Sequence, residues 1–166
     1  MMKLGRSISL SLLMASLGCA DSTAPPVVTL QTDSQAYTLT AGPASYQVTI
    51  GLQLTNVSGG DVFIANCNGD FPAHLEKLVA DDWVVAWTGV WNLCASPAIV
   101  VKPGGQYQAL LHISAGYPSN NVYAKWGTPD IPGQYRVVAE TLAGSSGALA
   151  LEQRTSNTFT ISTGTL

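Results

Sequence analysis

The stretch Tyr46-Gln-Val-Thr-Ile-Gly-Leu-Gln-Leu54 sets Tyr46, Val48, Ile50, Leu52 and Leu54 in alternation with Gln47, Thr49, Gly51 and Gln53. A period of two with one apolar set marks a half-buried β-strand, because successive side chains of an extended backbone point to opposite faces. The pattern returns twice. Tyr107, Ala109, Leu111 and Ile113 alternate after the turn Lys102-Pro103-Gly104-Gly105, and Tyr135, Val137 and Ala139 alternate within Gln134 to Thr141, after Pro132-Gly133. Shorter strands are expected over Asp61 to Ala65, after the turn Asn56 to Gly60, and over Ala98 to Val101. His74 to Val79 and Trp83 to Thr88 read as a hairpin closed by Ala80-Asp81-Asp82, and Thr158 to Ser162 is the last strand, with Phe159 and Ile161 inward. About seven to nine short strands, with turn signals between them and no sustained helical period, predict an all-β fold, an antiparallel β-sandwich.

The first residues follow a different pattern. Lys3 and Arg6 precede an apolar run from Ile8 to Leu17, and Gly18-Cys19 then opens a polar stretch. A basic start, a short apolar middle and a small residue before the cut form an export signal too short to span a bilayer. The site resembles the lipobox of bacterial lipoproteins, in which a cysteine after a small residue is diacylated and becomes the new N-terminus. Gly18 and Cys19 fit that pattern, whereas Ser16 and Leu17 depart from its usual order of Leu followed by a small residue. The resemblance implies a signal peptide over residues 1–18, a lipidated N-terminus and flexible tether over 19–26, and a folded domain over 27–166. Cys19 would then hold the chain to a membrane of the bacterial cell envelope. Ordinary signal-peptidase cleavage nearby, giving a secreted or periplasmic protein, is the alternative.

Removing Lys3 and Arg6 from seven Lys and Arg leaves five, against ten Asp and Glu, so the mature chain carries a net charge of −5. That surface has no basic footprint for phosphates, and nucleic acid is not an expected partner. With Cys19 lipidated, Cys67 and Cys94 remain, and an even pair in an oxidising compartment most simply forms a disulfide. Closing a loop of about 27 residues stabilises by roughly 3 to 4 kcal/mol on the chain-entropy estimate. The alternative is a metal site built from Cys67, Cys94, His74 and His112, which lack the tight paired spacing of metal motifs. No cofactor is expected.

The order of Leu54-Thr55-Asn56-x-Ser58, Leu75-Glu76-Lys77, Trp83-Val84, Pro103-Gly104 and Pro132-Gly133-x-Tyr135-Arg136 resembles the immunoglobulin-like domains of bacterial secreted proteins, including those similar to the intracellular proteinase inhibitor family. The resemblance runs from about Tyr37 to Ile161 and implies an immunoglobulin-like sandwich. Within it, Gly133-x-Tyr135 is similar to a tyrosine corner, whose hydroxyl bonds back to nearby backbone. Val137, two residues after that tyrosine, stands where antibody domains have their second cysteine.

Chemistry-bearing motifs are scarce. A nucleophile needs a base beside it, and only His74 and His112 are available, both read as solvent-facing strand residues. Asp81 and Asp82 sit on a turn and point apart, and no phosphate loop, zinc signature or nucleotide fingerprint appears. The chain is therefore not expected to be an enzyme. Binding is the better expectation, with another envelope protein or a surface glycan as partner. Trp83 and Trp87 share a strand face with Val85 and read as core. The candidate contact residues are Trp91, in the loop leading to Cys94, and Tyr117, Tyr123 and Trp126, on the long connection Ser114 to Gly133. On the competing reading these aromatics fold back to cover an open end of the sandwich. A proteinase inhibitor, implied by the inhibitor-family resemblance and using the Tyr117 to Asp130 or Cys94 loop, and a metal-binding protein are the alternative functions.

Overall fold

A computed structural model of the chain describes residues 27–91, 94–116, 124–128, 130–144 and 147–164. Cys19, with the rest of the export segment and tether, lies outside the described residues, as do Tyr117 and Tyr123. The described strands are β1 (Val28–Thr32), β2 (Ala36–Ala41), β3 (Ser45–Asn56), β4 (Val62–Asn66), β5 (Ala73–Val79), β6 (Asp82–Thr88), β7 (Ser96–Val101), β8 (Gln106–Gly116), β9 (Gly133–Ala139), β10 (Leu142–Gly144), β11 (Gly147–Ala148) and β12 (Phe159–Thr163). A 3-10 turn, Leu151–Arg154, precedes β12. The count exceeds the expected seven to nine because β1 and β2 precede the first strongly alternating segment and β10 and β11 have only three and two residues.

Eight strands form one sheet in the order β1-β3-β2-β12-β9-β5-β6, with β8 on β3, and β11-β10-β4-β7 form a second. The large sheet changes partners at β2. Its last residues, Thr40 and Ala41, pair antiparallel with β3, whereas Ala36 to Leu39 run parallel to β12, the one parallel pairing among the named strands. The β1–β3–β8 part and the β12–β9–β5–β6 part share one core: Ile50, Leu52 and Leu54 of β3 and Leu111 and Ile113 of β8 join Leu75, Trp87, Tyr135, Val137, Phe159 and Ile161. The small sheet adds Val62, Ile64, Val101 and Leu142 to the same cluster. Fully burying each such aliphatic side chain contributes about 1.5 to 3 kcal/mol. This is an immunoglobulin-like β-sandwich.

Two turns show how sequence fixes the corners. Ala80 and Asp81 both have positive φ, 47° and 74°, as a two-residue primed hairpin between β5 and β6 demands. Buried Asn56 uses its whole amide: Nδ2 donates to the carbonyls of Gly60 and Val101 at 2.7 and 2.8 Å, while Oδ1 accepts from the Ser58 amide and hydroxyl at 2.9 and 2.7 Å. That satisfaction makes its burial tolerable and pins the Asn56 to Gly60 turn onto β7.

One expected face is corrected. The pairing of β5 with β6 slips between Leu75 and Glu76, so Leu75 opposes Trp87 while Glu76 opposes Val85. A bulge at Ala86 reverses the alternation. Ala86 and Trp87 are buried, while Val85 is 53% exposed and Trp83 lies half-buried on the outer face with it.

Candidate functional site

The described end of the Ser114 to Gly133 connection folds back over the sandwich. Gly116 N–H donates to the Ala124 carbonyl at 2.9 Å and Gly127 N–H to the Ala86 carbonyl at 2.6 Å, tying β8 and β6 to this segment. Trp126 follows, half-buried, with its ring edge-on to Tyr135 at 5.7 Å and its Nε1 donating to the Tyr135 hydroxyl at 3.2 Å. Tyr135 is fully buried and donates its own hydroxyl to the Ile131 carbonyl, the bond expected of a tyrosine corner. Burial pushes its phenol up to about 12, against the smaller opposing effect of the Trp126 bond. Lys77 Nζ donates to the Asp130 carbonyl beneath Gly133, where a Cβ would meet Lys77 Cε at 2.7 Å. Gly133 also has φ 155°, a backbone conformation that favours glycine over residues with a side chain. A cleft of about 380 Å³ opens beside this knot, lined by Tyr46, Gly116, Lys125, Trp126, Gly127, Thr128 and Ile131.

Trp91 sits apart from that cleft. It is half-buried and packs on the core, edge-on to Trp87 at 6.3 Å. It lies so close over Gly89 that a Cβ there would meet the indole at 2.4 Å. Its Nε1 is buried and makes no hydrogen bond among the described residues, while neighbouring Val90 is 81% exposed. Cys67 and Cys94 form a disulfide spanning 27 residues. It joins the end of β4 to the approach to β7, next to the pair Asn66 and Ser96, so it lies within the small sheet rather than between sheets. The disulfide agrees with folding in an oxidising compartment. It also takes both thiolates from the alternative metal site, and no cluster of three metal-binding side chains occurs among the described residues. Of the four candidate contact residues, Trp91 and Trp126 therefore lie on separate parts of one end of the sandwich. Tyr117 and Tyr123, and most of the two loops considered for proteinase inhibition, lie outside the described residues.

A third feature was missed in the sequence. On the outer face of β5 and β9, Arg136 binds Glu76 Oε2 through Nε and Nη2, both at 2.6 Å, and stacks 4.4 Å over the Trp83 ring. His74, expected to face solvent, is only 18% exposed and lies between two carboxylates, 3.5 Å from Glu76 Oε1 and 3.4 Å from Glu140 Oε1. His74-x-Glu76 on one strand face was a visible signal, but its partners come from a strand sixty residues away. These side chains are committed to one another and to packing. His112 is exposed, with Nδ1 3.1 Å from Thr49 Oγ1, and among the described residues no carboxylate bonds to that ring. Among the described residues, no helix is long and apolar enough to cross a membrane.

No family model matches the chain, and no curated protein matches it. Among solved structures it is similar to a structural-genomics target designated SoR45, at 12% identity and TM-score 0.39, with 82% of each chain covered. It is also similar to an ASH / PapD-like domain of human CEP192, PapD-like domain 7, at 13% identity and TM-score 0.34, with 97% of this chain and 98% of that one covered. The assignment of the sandwich rests on the strand pairing described above.

Proposed function

We propose that this chain is a non-enzymatic lipoprotein of the bacterial cell envelope. On this reading its immunoglobulin-like domain is an interaction or structural module, held to the membrane through Cys19 and binding a protein or a surface glycan. The observation that carries the reading is the cleft of about 380 Å³ floored by Tyr46, Trp126 and Ile131, with Thr128 as a polar group on its wall. Aromatic surface beside a few fixed polar groups is the usual makeup of a recognition site. The segment that forms it is braced by Tyr135, so the cleft is pre-formed and loses little freedom on binding.

Two measurements test this. Mass spectrometry of the mature N-terminus should find an acylated Cys19, and an unmodified chain starting elsewhere removes the anchor. A photo-cross-linking residue at Thr128 or Lys125, used in intact cells, should give a discrete adduct absent when the same residue is placed on the far face at Thr29. Equal background from all three positions would remove the binding reading.

A further inference from the structure

An open sheet edge is a row of unpaired backbone donors and acceptors, and folded proteins block such rows with proline, charge, bulges or a covering segment. Most margins of this sandwich are blocked. β7 contains Pro97. β6 carries the bulge at Ala86, whose carbonyl is taken by Gly127. β1 is covered where Leu30 bridges to Ser156 and where Thr32 N–H donates to Asn157 Oδ1 at 2.8 Å. β11 has two residues.

β8 is different. It has eleven residues, pairs among the described strands with β3 alone apart from the Gly116–Lys125 bridge at its end, and contains no proline, bulge, lysine, arginine or carboxylate. Which of its groups face outward is fixed by its neighbours. Leu110 opposes Gly51, and Gly51 turns both its backbone groups away from β8: its N–H donates to Asp33 Oδ1 at 3.2 Å and its carbonyl accepts from Asp33 N–H at 2.9 Å. Leu110 is thus in a non-hydrogen-bonded pair, and the amides and carbonyls of even-numbered residues in β8 point away from β3. Two of these are satisfied at the far end, where Ser114 accepts from Trp87 Nε1 at 3.2 Å and Gly116 donates to Ala124. Between Gln106 and His112 no described strand or hydrogen bond covers the outward row, and Leu110 is 61% exposed upon it.

We propose that the Gln106 to His112 edge of β8 pairs antiparallel with the same edge of a second copy of this chain, about a two-fold axis at Ala109. A two-fold there sets Gln106 against His112 of the copy and Gln108 against Leu110, so every outward group meets a complementary one. The charge distribution favours a second copy over a charged partner. The chain is acidic overall, with net charge −3, and this strand is the long margin where two copies approach without opposing like charges. The pairing joins the two large sheets edge to edge and buries Leu110. It goes beyond the function proposed above and does not depend on the partner named there.

Sedimentation equilibrium of the full chain in density-matched detergent tests it. The expected result is a concentration-dependent dimer. Gln108→Pro removes an outward N–H that β3 does not use, and should weaken dimerisation at least tenfold while preserving the β-sheet circular dichroism. Leu110→Lys, which brings two cations together near the axis, should do the same, and Val100→Lys on the blocked margin should not. A wild-type monomer at every concentration overturns the proposal. So does a dimer that both β8 variants form as well as wild type, or a β8 edge protected from amide exchange only by a different protein.

Discussion

The margins at β6 and β8 belong to the same sheet and are built on opposite plans. β6 carries tryptophan and valine on its outer face, yet Trp83 lies under the Arg136 guanidinium, Arg136 is held by Glu76, and the Ala86 carbonyl is capped from the returning loop. β8 keeps an unbroken ladder with β3 over eleven residues, and between Gln106 and His112 no described strand or hydrogen bond takes up its outer groups. The difference separates two uses of polar residues: ionic groups that close a surface, and neutral amides that leave one available. Stability should therefore depend on the first margin and hardly at all on the second.

Glu76→Ala should have the largest effect. It strands the partly buried Arg136 and His74, at a cost of about 3 kcal/mol, read as a lower urea midpoint with unchanged slope. Tyr135→Phe comes next, at about 2 kcal/mol, because the Ile131 carbonyl and Trp126 Nε1 both lose their partner. Tryptophan emission should shift with it.

Alkali probes the same closed end without mutation. A tyrosine in the unfolded chain ionises near its ordinary value of 10.0, whereas the Tyr135 phenol keeps its proton to about 12. Its contribution is fully present below pH 10 and is lost as pH climbs from 10 to 12, by at most about 3 kcal/mol. A pH titration of the thermal midpoint should fall over that window in wild type and fall less in Tyr135→Phe. Trp83→Ala, which removes the ring under Arg136, should cost about 1 kcal/mol in thermal unfolding. Gln108→Lys on the open margin should change the stability of the monomer by less than about 0.5 kcal/mol. A large loss there would mean that the β8 edge is covered after all.

The strands that bury one face and expose the other were legible from sequence. β3, β8 and β9 fall where alternation placed them, because a half-buried strand has no other way to satisfy both faces. The Pro132-Gly133-x-Tyr135 step likewise announced the corner that Tyr135 makes. The Trp83 and Trp87 face was misread for a local reason. The bulge at Ala86 inserts a residue, and composition carries no sign of it. The ion cluster escaped for a non-local one, since His74 and Glu76 become buried partners only when β9 brings up Arg136 and Glu140 follows it. Which margins are open is a property of sheet order, and the order β1-β3-β2-β12 with β8 to one side is not written in any single segment.

The parallel alignment of β2 with β12 has a mechanical consequence. Ala36 to Leu39 run side by side with Thr160 to Thr163, so the second strand of the domain and its last are clasped together. A pull applied between the two ends of the domain loads those hydrogen bonds lengthwise and simultaneously instead of peeling them one by one. Single-molecule extension from residues 36 and 163 should accordingly meet a force peak at this clasp.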